Sequence, residues 1–567
     1  MQKKYTFLSC LVVLLILFSN ARAQVTLKNP ILPGFYPDPA ICKVGTDYYM
    51  VTSTFVYFPG IPVFHSKDLK NWKQITSAID RPSQMDFMGQ QISRGLFAPA
   101  INYYKGVFYI TCTNIDKGGN FIITAKNPAG PWSDPVYLKE VRGIDPSLYF
   151  EDDKVFIIYN SDPPDYKSLY SGHRTVKIYE LDLATLKPVG TEKILVNGGV
   201  DLSKKPVWIE APHIYKRNGY YYLMAAEGGT SVNHSEVIFR SKDVRGPFIP
   251  YEKNPILTQR HLDPKRKDPI SSVGHADLVE GPDGNTYAVF LGVRPYEGDF
   301  YNTGRETFIA PVKWIADWPV INPDHEQVQY EYQVNWKEDK PKITLPITGN
   351  FSYRVAFKDT LNREFLFLRT HNPTWYNFKE NKNGLTMKLL PQTILEKGNP
   401  AFIGRRQQHL SSSASTELSF STKQANEKAG MVVFQNENHF YFMCKSYDKG
   451  KEVIQLFKGN PATDKMDLLK QVELSSSEKK VYFKVNSEGD VYSFWYALKE
   501  NDWSALADNV DGKYLSTVVA KGFVGVLYGM YATSEGQATD NKAIYRWFDY
   551  SGNDRTFQNG SSTGNRK

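Results

Sequence analysis

Three carboxyl-bearing residues recur at the same point of a repeated pattern in the N-terminal half of the chain. Asp38, Asp145 and Glu210 each open one copy of a pattern in which a short polar motif leads into an apolar strand, a tight turn and an aromatic strand. Residues at equivalent points of a repeat occupy equivalent places in the fold, so we expect the three carboxyl groups to converge. Such groups can split a glycosidic bond, because one protonates the leaving oxygen while another activates water. The third can raise the pKa of the acid by like-charge repulsion.

The repeat itself predicts the scaffold that positions these groups. Its five copies begin at Asp38-Pro39, Phe97-Ala98-Pro99, Asp145-Pro146, Glu210-Ala211-Pro212 and His275-Ala276-Asp277. Turn pairs such as Asn218-Gly219 and Asp283-Gly284 are strong hairpin signals, because both turn residues must accept positive φ. Repeats of several strands at this spacing are typical of a propeller. We therefore expect an all-β chain that begins with a five-bladed β-propeller, with the carboxylates on its axis.

A structural interpretation of the same residues is open for each motif alone. Asp-Pro is a common turn opening, because the residue before proline is pushed toward extended geometry. Two Asp-Pro units and one Glu-Ala-Pro unit, all in register with the repeat, favour the catalytic interpretation.

The pattern changes after the charged, proline-containing stretch 337–342. Longer strands with period-2 alternation follow, and they predict a β-sandwich. The predicted organisation is a signal peptide over 1–23, the propeller over 24–325, a linker over 326–348, the sandwich over 349–550 and a flexible tail over 551–567.

The first 23 residues have the composition of a secretory signal peptide. Lys3-Lys4 precede an apolar run, and Ala21-Arg22-Ala23 is a small-x-small cleavage site. The apolar run is too short to span a membrane, so we expect export to the periplasm or the medium. The leader carries three of the eight net positive charges and leaves +5 on the mature chain, too mild and scattered to favour nucleic acid. The oligomeric state stays open.

Four cysteines are present, and cleavage of the leader removes Cys10. Cys42, Cys112 and Cys444 are odd in number and widely spaced, which argues against a disulfide framework or a zinc site. Buried free thiols are the favoured interpretation, and a Cys42–Cys112 bridge is the alternative.

At this point the chain resembles glycoside hydrolase family 43, in its two-domain branch of β-xylosidases and α-L-arabinofuranosidases. The resemblance runs from about Asn29 to about Asp549. Its most specific segments are Asn29 to Pro39, Ser53-Thr54-Phe55 through Phe58-Pro59-Gly60, Ile209-Glu210-Ala211-Pro212-His213, Glu227-Gly228-Gly229-Thr230, Gly304-Arg305-Glu306-Thr307-Phe308 and Gly404-Arg405-Arg406-Gln407-Gln408-His409. The resemblance implies a five-bladed propeller, a concanavalin-like sandwich and hydrolysis with inversion.

The resemblance also implies roles for the three carboxyl groups. Asp38 corresponds to the general base that activates water, and Glu210 to the general acid. Asp145 corresponds to the residue that modulates the pKa of the acid and helps to orient it.

Two further polar residues receive roles from the resemblance. His275 matches a central histidine beneath the pocket, which faces an axial Ca²⁺, another cation or a water; no organic cofactor is implied. Arg294 matches the arginine that hydrogen-bonds sugar hydroxyls, and the alternative is a partner for Asp145 or Glu210.

The remaining pocket candidates are mostly aromatic. Phe55 and Thr230 correspond to pocket-lining positions, although a strand-end Phe is often a core residue. Phe97 stands where many relatives have Trp, so the acceptor side of the pocket is expected to differ. Phe523 is the candidate for a residue that the second domain contributes to the pocket, with packing inside a strand as the alternative.

The function predicted from these observations is an exo-acting, inverting glycosidase that releases terminal α-L-arabinofuranosyl residues from plant hemicellulose or pectin oligosaccharides. The preference for arabinose rests on Phe97 and on the loop Ser161-Asp162-Pro163-Pro164-Asp165. The alternatives are a β-D-xylosidase or dual enzyme and, more remotely, a non-catalytic carbohydrate-binding propeller. A retaining five-bladed relative is disfavoured, because its Asn-Asp-Pro-Asn-Gly motif is replaced here by Tyr36-Pro37-Asp38-Pro39-Ala40.

Overall fold

The computed structural model describes residues 25–341, 345–371, 373–475 and 478–558. The predicted signal peptide, 1–23, and residues 559–567 of the predicted tail lie outside the described residues. Within the described ranges, no helix has the length and apolar character that crossing a membrane requires.

Five antiparallel sheets of four or five strands follow one another along the first domain, one for each copy of the repeat. Strands β1 (Val25–Lys28) and β4 (Tyr57–Phe58) lie outside these five sheets. The first sheet contains β2 (Ala40–Val44), β3 (Asp47–Val51), β5 (Gly60–Ser66) and β6 (Lys73–Ile79), the second contains β7 (Leu96–Tyr104), β8 (Val107–Asn114), β9 (Gly119–Ala125) and β10 (Val136–Tyr137), and the third contains β11 (Ile144–Glu151), β12 (Lys154–Ser161), β13 (Thr175–Asp182) and β14 (Lys187–Asn197). The fourth sheet contains β15 (Glu210–Arg217), β16 (Tyr220–Glu227), β17 (Ser235–Ser241), β18 (Ile249–Pro250) and β19 (Leu257–Thr258), and the fifth contains β20 (Ser271–Glu280), β21 (Thr286–Val293), β22 (Glu306–Ile315) and β23 (Trp318–Ile321).

The first strand of each sheet is its innermost strand. β2, β7, β11, β15 and β20 contact one another in that order, and contacts between β20 and β2 close the ring. The propeller prediction is therefore confirmed, and each carboxylate of the repeat lies at or just before the start of an inner strand, beside the axis.

Irregular backbone at the start of the inner strands aims these side chains inward. Register shifts in four of the five inner strands fall between Phe97 and Ala100, Ile144 and Ser147, Glu210 and His213, and Gly274 and Asp277. Bulges of this kind re-aim a side chain and are frequent beside active sites. Asp38, Asp145 and His275 have left-handed backbone with φ of 55°, 53° and 55°, which is uncommon for residues other than glycine.

The propeller is closed by pairing between its two ends. β1 forms a two-stranded antiparallel sheet with β24 (Glu331–Val334), which lies inside the predicted linker 326–348. The linker prediction is wrong for these residues, because apolar Tyr332 and Val334 are buried against the propeller core and need a hydrogen-bonded strand to bury their backbone.

The second domain is a sandwich of two antiparallel sheets. Its strands are β25 (Phe351–Ala356), β26 (Phe367–Leu368), β27 (Tyr376–Asn377), β28 (Leu385–Lys388), β29 (Ala401–Arg406), β30 (Ser411–Ser419), β31 (Lys428–Asn436), β32 (His439–Asp448), β33 (Lys451–Asn460), β34 (Lys465–Glu473), β35 (Lys480–Glu488), β36 (Val491–Ala497), β37 (Ser504–Asp511), β38 (Leu527–Thr533) and β39 (Lys542–Gly552). The eight-stranded sheet contains β25, β27, β28, β30, β35–β37 and β39, and the six-stranded sheet contains β29, β31–β34 and β38.

Short helices occur only in connections among the described residues. The one-turn helix α1 covers Thr517–Ala520, and 3₁₀ turns cover Pro164–Tyr166, Leu202–Lys204, Pro373–Trp375, Lys513–Leu515 and Arg555–Phe557.

The two domains share one apolar core and one sheet. β26 of the sandwich region pairs with β4 of the propeller region, and a single cluster of buried side chains joins residues of both. Buried side chains also bond across the boundary, as from Arg406 Nε to the Phe35 carbonyl at 2.5 Å and from Gln408 Nε2 to the Pro33 carbonyl at 3.1 Å. The sandwich is thus packed firmly enough to place residues at the propeller axis.

The predicted flexible tail begins too early. Ser551 and Gly552 end strand β39, and Phe557 is buried. The carboxylate of Asp554 forms a buried ion pair with Arg294 at 2.6 Å. Composition suggested a frayed end, but these long-range contacts hold residues 551–558 in place.

Candidate active site

Asp38 lies just before β2, in a buried position with compensating charge. Its carboxylate accepts hydrogen bonds from Ser53 Oγ at 2.6 Å and from Arg305 Nη1 at 2.6 Å, and Nη2 of the same arginine lies 3.4 Å away. Burial raises the pKa of Asp38, but the charge of Arg305, the nearby His275 and the Ser53 hydrogen bond outweigh it, so the pKa lies below the ordinary value. Asp38 is therefore ionised at neutral pH.

Asp145 lies in the bulge that opens β11. Its side chain is buried and accepts a hydrogen bond from the Ala211 backbone N–H at 3.2 Å, next to Glu210 in the chain. Burial and then the charges of Glu210 and Asp38 raise the pKa of Asp145 well above its ordinary value.

Glu210 is the first residue of β15 and faces the same cavity. Burial and then the charge of Asp38 raise the pKa of Glu210 to about 7, while Arg305, Arg174 and an interaction with the Thr230 side chain act in the opposite direction. One cavity therefore holds an ionised carboxylate and a pair of carboxyl groups that share raised pKa values. When neighbouring carboxyl groups have pKa values this different, the ionised group can act as the general base and a protonated group as the general acid.

The three carboxyl groups open into a cavity of about 400 Å³ at the axial end of the propeller. Its lining combines the carboxylates with aromatic, small and cationic residues: Asp38, Phe55, Phe97, Ala98, Ile144, Asp145, Val207, Trp208, Glu210, Gly228, Gly229, Thr230, Ser231, His275, Arg305 and Phe523. The structure thus brings together Phe55, Phe97, Thr230, His275 and Phe523, as the sequence predicts.

Three phenylalanines form one wall of the cavity. The ring centroids of Phe55 and Phe97 are 5.4 Å apart, and Phe523 lies 6.0 Å from Phe55 and 5.9 Å from Phe97. Phe523 belongs to the sandwich domain, keeps 39% of its surface exposed, and is held by a hydrogen bond from its backbone N–H to Ser93 Oγ at 2.9 Å. The second domain therefore contributes directly to the pocket.

His275 lies in the floor of the cavity beside Asp38, with 3.8 Å between its Nδ1 and Asp38 Oδ1. Burial is the main cause that lowers the pKa of His275 to about 3, so the ring is neutral at neutral pH. Among the described residues, no group of three or more His, Cys, Asp or Glu side chains has the arrangement that holds a metal ion. The axial cation that the resemblance implies, held at His275 through a water, stays a prediction, and no catalytic step depends on it.

Arg294 does not lie in the cavity, and its predicted contact with sugar hydroxyls is wrong. Its guanidinium is 1% exposed and bonds Glu306 Oε2 at 2.6 Å, Glu306 Oε1 at 2.8 Å and Asp554 Oδ2 at 2.6 Å. The alternative partners, Asp145 and Glu210, are not bonded to it either. Two buried acids of other segments hold Arg294 away from the axis.

Arg305 occupies the place that was predicted for Arg294. It lines the cavity, bonds Asp38 and lies 5.6 Å from the Phe523 ring centroid. Its Nε is buried without a hydrogen-bond partner among the described groups. The signal that could have identified it is the motif Gly304-Arg305-Glu306, which leads into β22.

Trp208 is a second cavity residue without a prediction from the sequence. It precedes Glu210 by two positions, is 38% exposed and has a left-handed backbone with φ of 49°. No periodic signal marks it, because it lies in the connection before β15 rather than in the repeated strands.

Cys42, Cys112 and Cys444 are all free thiols, so the Cys42–Cys112 bridge is absent.

Comparison with known proteins identifies the family. The model of "Glycosyl hydrolases family 43" matches residues 27–319, and that of the "Beta xylosidase C-terminal Concanavalin A-like domain" matches residues 354–551. The chain belongs to glycoside hydrolase family 43. Its organisation is that of the two-domain β-xylosidase and arabinofuranosidase branch, and it is a glycoside hydrolase.

Relatives of this family 43 enzyme carry both kinds of name. A "Xylosidase/arabinosidase" of Butyrivibrio fibrisolvens is 40% identical over 93% of this chain and 99% of the relative. A "Non-reducing end alpha-L-arabinofuranosidase BoGH43B" of Bacteroides ovatus is 37% identical over 93% of this chain and 95% of the relative. A crystal structure of xylan beta-1,4-xylosidase from Bacillus halodurans superposes with a TM-score of 0.84 at 29% identity, over 93% of this chain and 100% of the other.

Proposed function

We propose that this family 43 enzyme releases terminal α-L-arabinofuranosyl residues from hemicellulose or pectin oligosaccharides, with inversion of configuration. Asp38 acts as the general base that removes a proton from the attacking water. Glu210 acts as the general acid that protonates the leaving oxygen. Asp145, a buried neighbour whose own pKa is raised by burial and by the charge of Glu210, modulates the acid and orients the strand start through the Ala211 N–H.

The observation that carries the proposal is that the pKa values of two carboxyl groups in one cavity are shifted in opposite directions. Asp38 has Arg305 as a counter-charge and a lowered pKa, whereas burial and repulsion raise the pKa of Glu210 to about 7. Inverting hydrolysis requires one ionised and one protonated carboxyl group at the same pH. A non-catalytic carbohydrate-binding propeller would not require this separation.

The size and walls of the cavity support action on a terminal residue. The cavity has a volume of about 400 Å³ and is bounded by the wall of three phenylalanines and by the carboxyl groups. This size suits one sugar ring rather than a polysaccharide chain. Phe523 covers the pocket from the second domain, which favours an exo-acting pocket over an open cleft.

The preference for arabinose has two supports. One relative is named a non-reducing end α-L-arabinofuranosidase, and the acceptor side of this cavity has Phe97 where many relatives have Trp. β-D-xylosidase or dual activity is the second candidate, because other relatives are named xylosidase/arabinosidase or β-xylosidase.

Initial rates on 4-nitrophenyl α-L-arabinofuranoside and 4-nitrophenyl β-D-xylopyranoside test the proposal. We expect a higher kcat/KM for the arabinofuranoside, and NMR of the first product formed should show inverted anomeric configuration. Preference for the xyloside would establish the second candidate. A folded protein that hydrolyses neither substrate would contradict both candidates.

We also propose that the enzyme is exported to the periplasm or the medium after removal of residues 1–23. The support is the basic, apolar and small-x-small order of the leader. Mass spectrometry of the protein from a secreting host should find Gln24 at the N-terminus, and an intact leader on cytoplasmic protein would contradict export.

A further inference from the structure

An exposed indole stands at the mouth of the cavity, beside the carboxyl group that has the raised pKa of a general acid. Trp208 lines the cavity with 38% of its surface exposed, and Ile209 alone separates it from Glu210 in the chain. Its left-handed backbone is uncommon for a bulky residue, and such strain persists only where surrounding structure maintains it.

The surrounding structure holds both the backbone and the ring of Trp208. Its backbone N–H donates to the Gly172 carbonyl at 2.9 Å, which ties the residue to the loop between β12 and β13. The Arg174 guanidinium lies 4.8 Å from the indole centroid, a cation–π distance. One face of the ring is therefore supported by a cation, and the exposed surface remains open to a ligand.

Arg174 is itself fixed from the third blade. Its Nε and Nη2 donate to Asn160 Oδ1 at 3.1 Å and 2.9 Å, and its Nη1 forms an ion pair with Asp162. Asn160 in turn donates from Nδ2 to the Ile209 carbonyl at 2.5 Å. Asp162 belongs to the loop 161–165, and through this ion pair the loop holds the Arg174 guanidinium in place.

We propose that Trp208 forms the binding face for the leaving-group sugar, and that Arg174 is the positioning residue that holds this face beside Glu210. The inference rests on the proposed function, in which Glu210 protonates the oxygen between the two sugars. The leaving sugar must then lie immediately outside Glu210, where the exposed indole stands. An indole offers a large apolar face for the C–H side of a sugar ring at low cost in conformational entropy.

Arg174 also acts on Glu210 through its charge. Its positive charge lowers the pKa of Glu210 and so opposes the larger effects of burial and of Asp38. Removal of that charge should raise the pKa of Glu210 and extend the protonated, active form to higher pH. A residue with a merely structural role would leave the pH dependence unchanged.

The test compares Trp208→Ala and Trp208→Phe with wild type on the disaccharide that the wild type cleaves, α-1,5-L-arabinobiose or β-1,4-xylobiose. We expect Trp208→Ala to lower kcat/KM on the disaccharide by about tenfold or more, equivalent to about 1.4 kcal/mol, and Trp208→Phe to retain most of it. Inhibition by the free pentose should be unchanged, because the monosaccharide occupies the donor position alone.

The matched control is Trp503→Ala, which removes an indole that also contacts a cationic side chain but lies in the sandwich domain. Lys484 lies 4.3 Å from the ring of Trp503 in the sandwich, outside the cavity lining, so Trp503→Ala should leave both readouts unchanged. The positioning role is tested with Arg174→Met, which should move the alkaline limb of kcat/KM to higher pH and raise KM for the disaccharide.

The outcomes separate this inference from the proposed function. A wild type that cleaves no pentoside contradicts the proposed function. An active wild type whose Trp208→Ala variant cleaves the disaccharide equally well contradicts the binding face. An equal weakening of pentose inhibition and disaccharide cleavage also contradicts it, because Trp208 would then act on the donor sugar. An unshifted alkaline limb in Arg174→Met contradicts the role of Arg174.

Discussion

The two sides of the catalytic cavity differ in counter-charge. On the Asp38 side, Arg305 and Ser53 satisfy a buried carboxylate with two hydrogen bonds of 2.6 Å. On the other side, Asp145 and Glu210 face each other with no arginine bonded to either among the described residues. Three acids of similar chemistry thus acquire different protonation states from their neighbours. The comparison teaches that position in the repeat brings the acids together, while non-repeated residues decide what each one does.

Loss of the charge on Asp38 should have the largest effect. Asp38→Asn keeps the size of the side chain but cannot accept the proton of the attacking water, so kcat/KM should fall about 10²–10⁴-fold. Steady-state rates on the better 4-nitrophenyl substrate measure it. Asp116→Asn, which removes a surface partner of Arg94, is the control and should retain activity. A variant of Asp38 with near-normal rates would remove the base from the account.

Removal of the positive charge of Arg305 should make the pKa of Asp38 more like the raised pKa values of Asp145 and Glu210. In Arg305→Met the pKa of Asp38 rises, because the largest of the influences that oppose burial, the charge of the guanidinium, is lost. Activity needs ionised Asp38, so the acidic limb of kcat/KM should move to higher pH, by about 1–3 units. A pH series at constant ionic strength measures the shift. An unchanged acidic limb would show that Arg305 does not set the state of Asp38.

The wall from the second domain should contribute a smaller effect. Phe523→Ala removes a ring that stacks 6.0 Å from Phe55, and we expect KM to rise by about tenfold with a smaller change in kcat. Val519→Ala is the control, because Val519 is exposed in α1 and does not line the cavity. Equal KM values for wild type and Phe523→Ala would mean that the sandwich does not take part in substrate binding.

Arg294 should show almost no effect on catalysis but a clear effect on stability. Arg294→Met leaves Glu306 and Asp554 buried without a cation, which should lower the free energy of unfolding by about 3–5 kcal/mol. Urea unfolding measures the loss, and kcat/KM of the folded protein should stay near wild type. A shifted acidic limb in this variant, as expected for Arg305→Met, would contradict the division of tasks between the two arginines.

The repeat made much of the fold and site predictable. Asp38, Asp145 and Glu210 stand at or just before the starts of equivalent strands, and the repeated blades place equivalent residues at one end of the propeller axis. The sandwich followed from period-2 alternation in the second half. These features are local or periodic, which is why a single sequence reports them.

Other residues depend on contacts that no local pattern reports. Arg294 and Arg305 flank the same connection between β21 and β22, and the buried acids Glu306 and Asp554 decide which arginine faces the cavity. Asp554 also holds residues that composition assigned to a flexible tail. Trp208 depends on the Gly172 carbonyl and on Arg174, both from another blade.

The central claim is that Glu210 holds the proton that the leaving group needs, and the pH dependence of kcat/KM for wild type and Glu210→Gln tests it most directly. With a pKa of about 7 for Glu210, wild-type kcat/KM should fall above about pH 7 as the acid ionises. Glu210→Gln should keep residual activity on a 4-nitrophenyl glycoside, whose leaving group needs little protonation, and should lose the alkaline limb. An alkaline limb that persists unchanged in Glu210→Gln would assign the proton to another group and contradict the account.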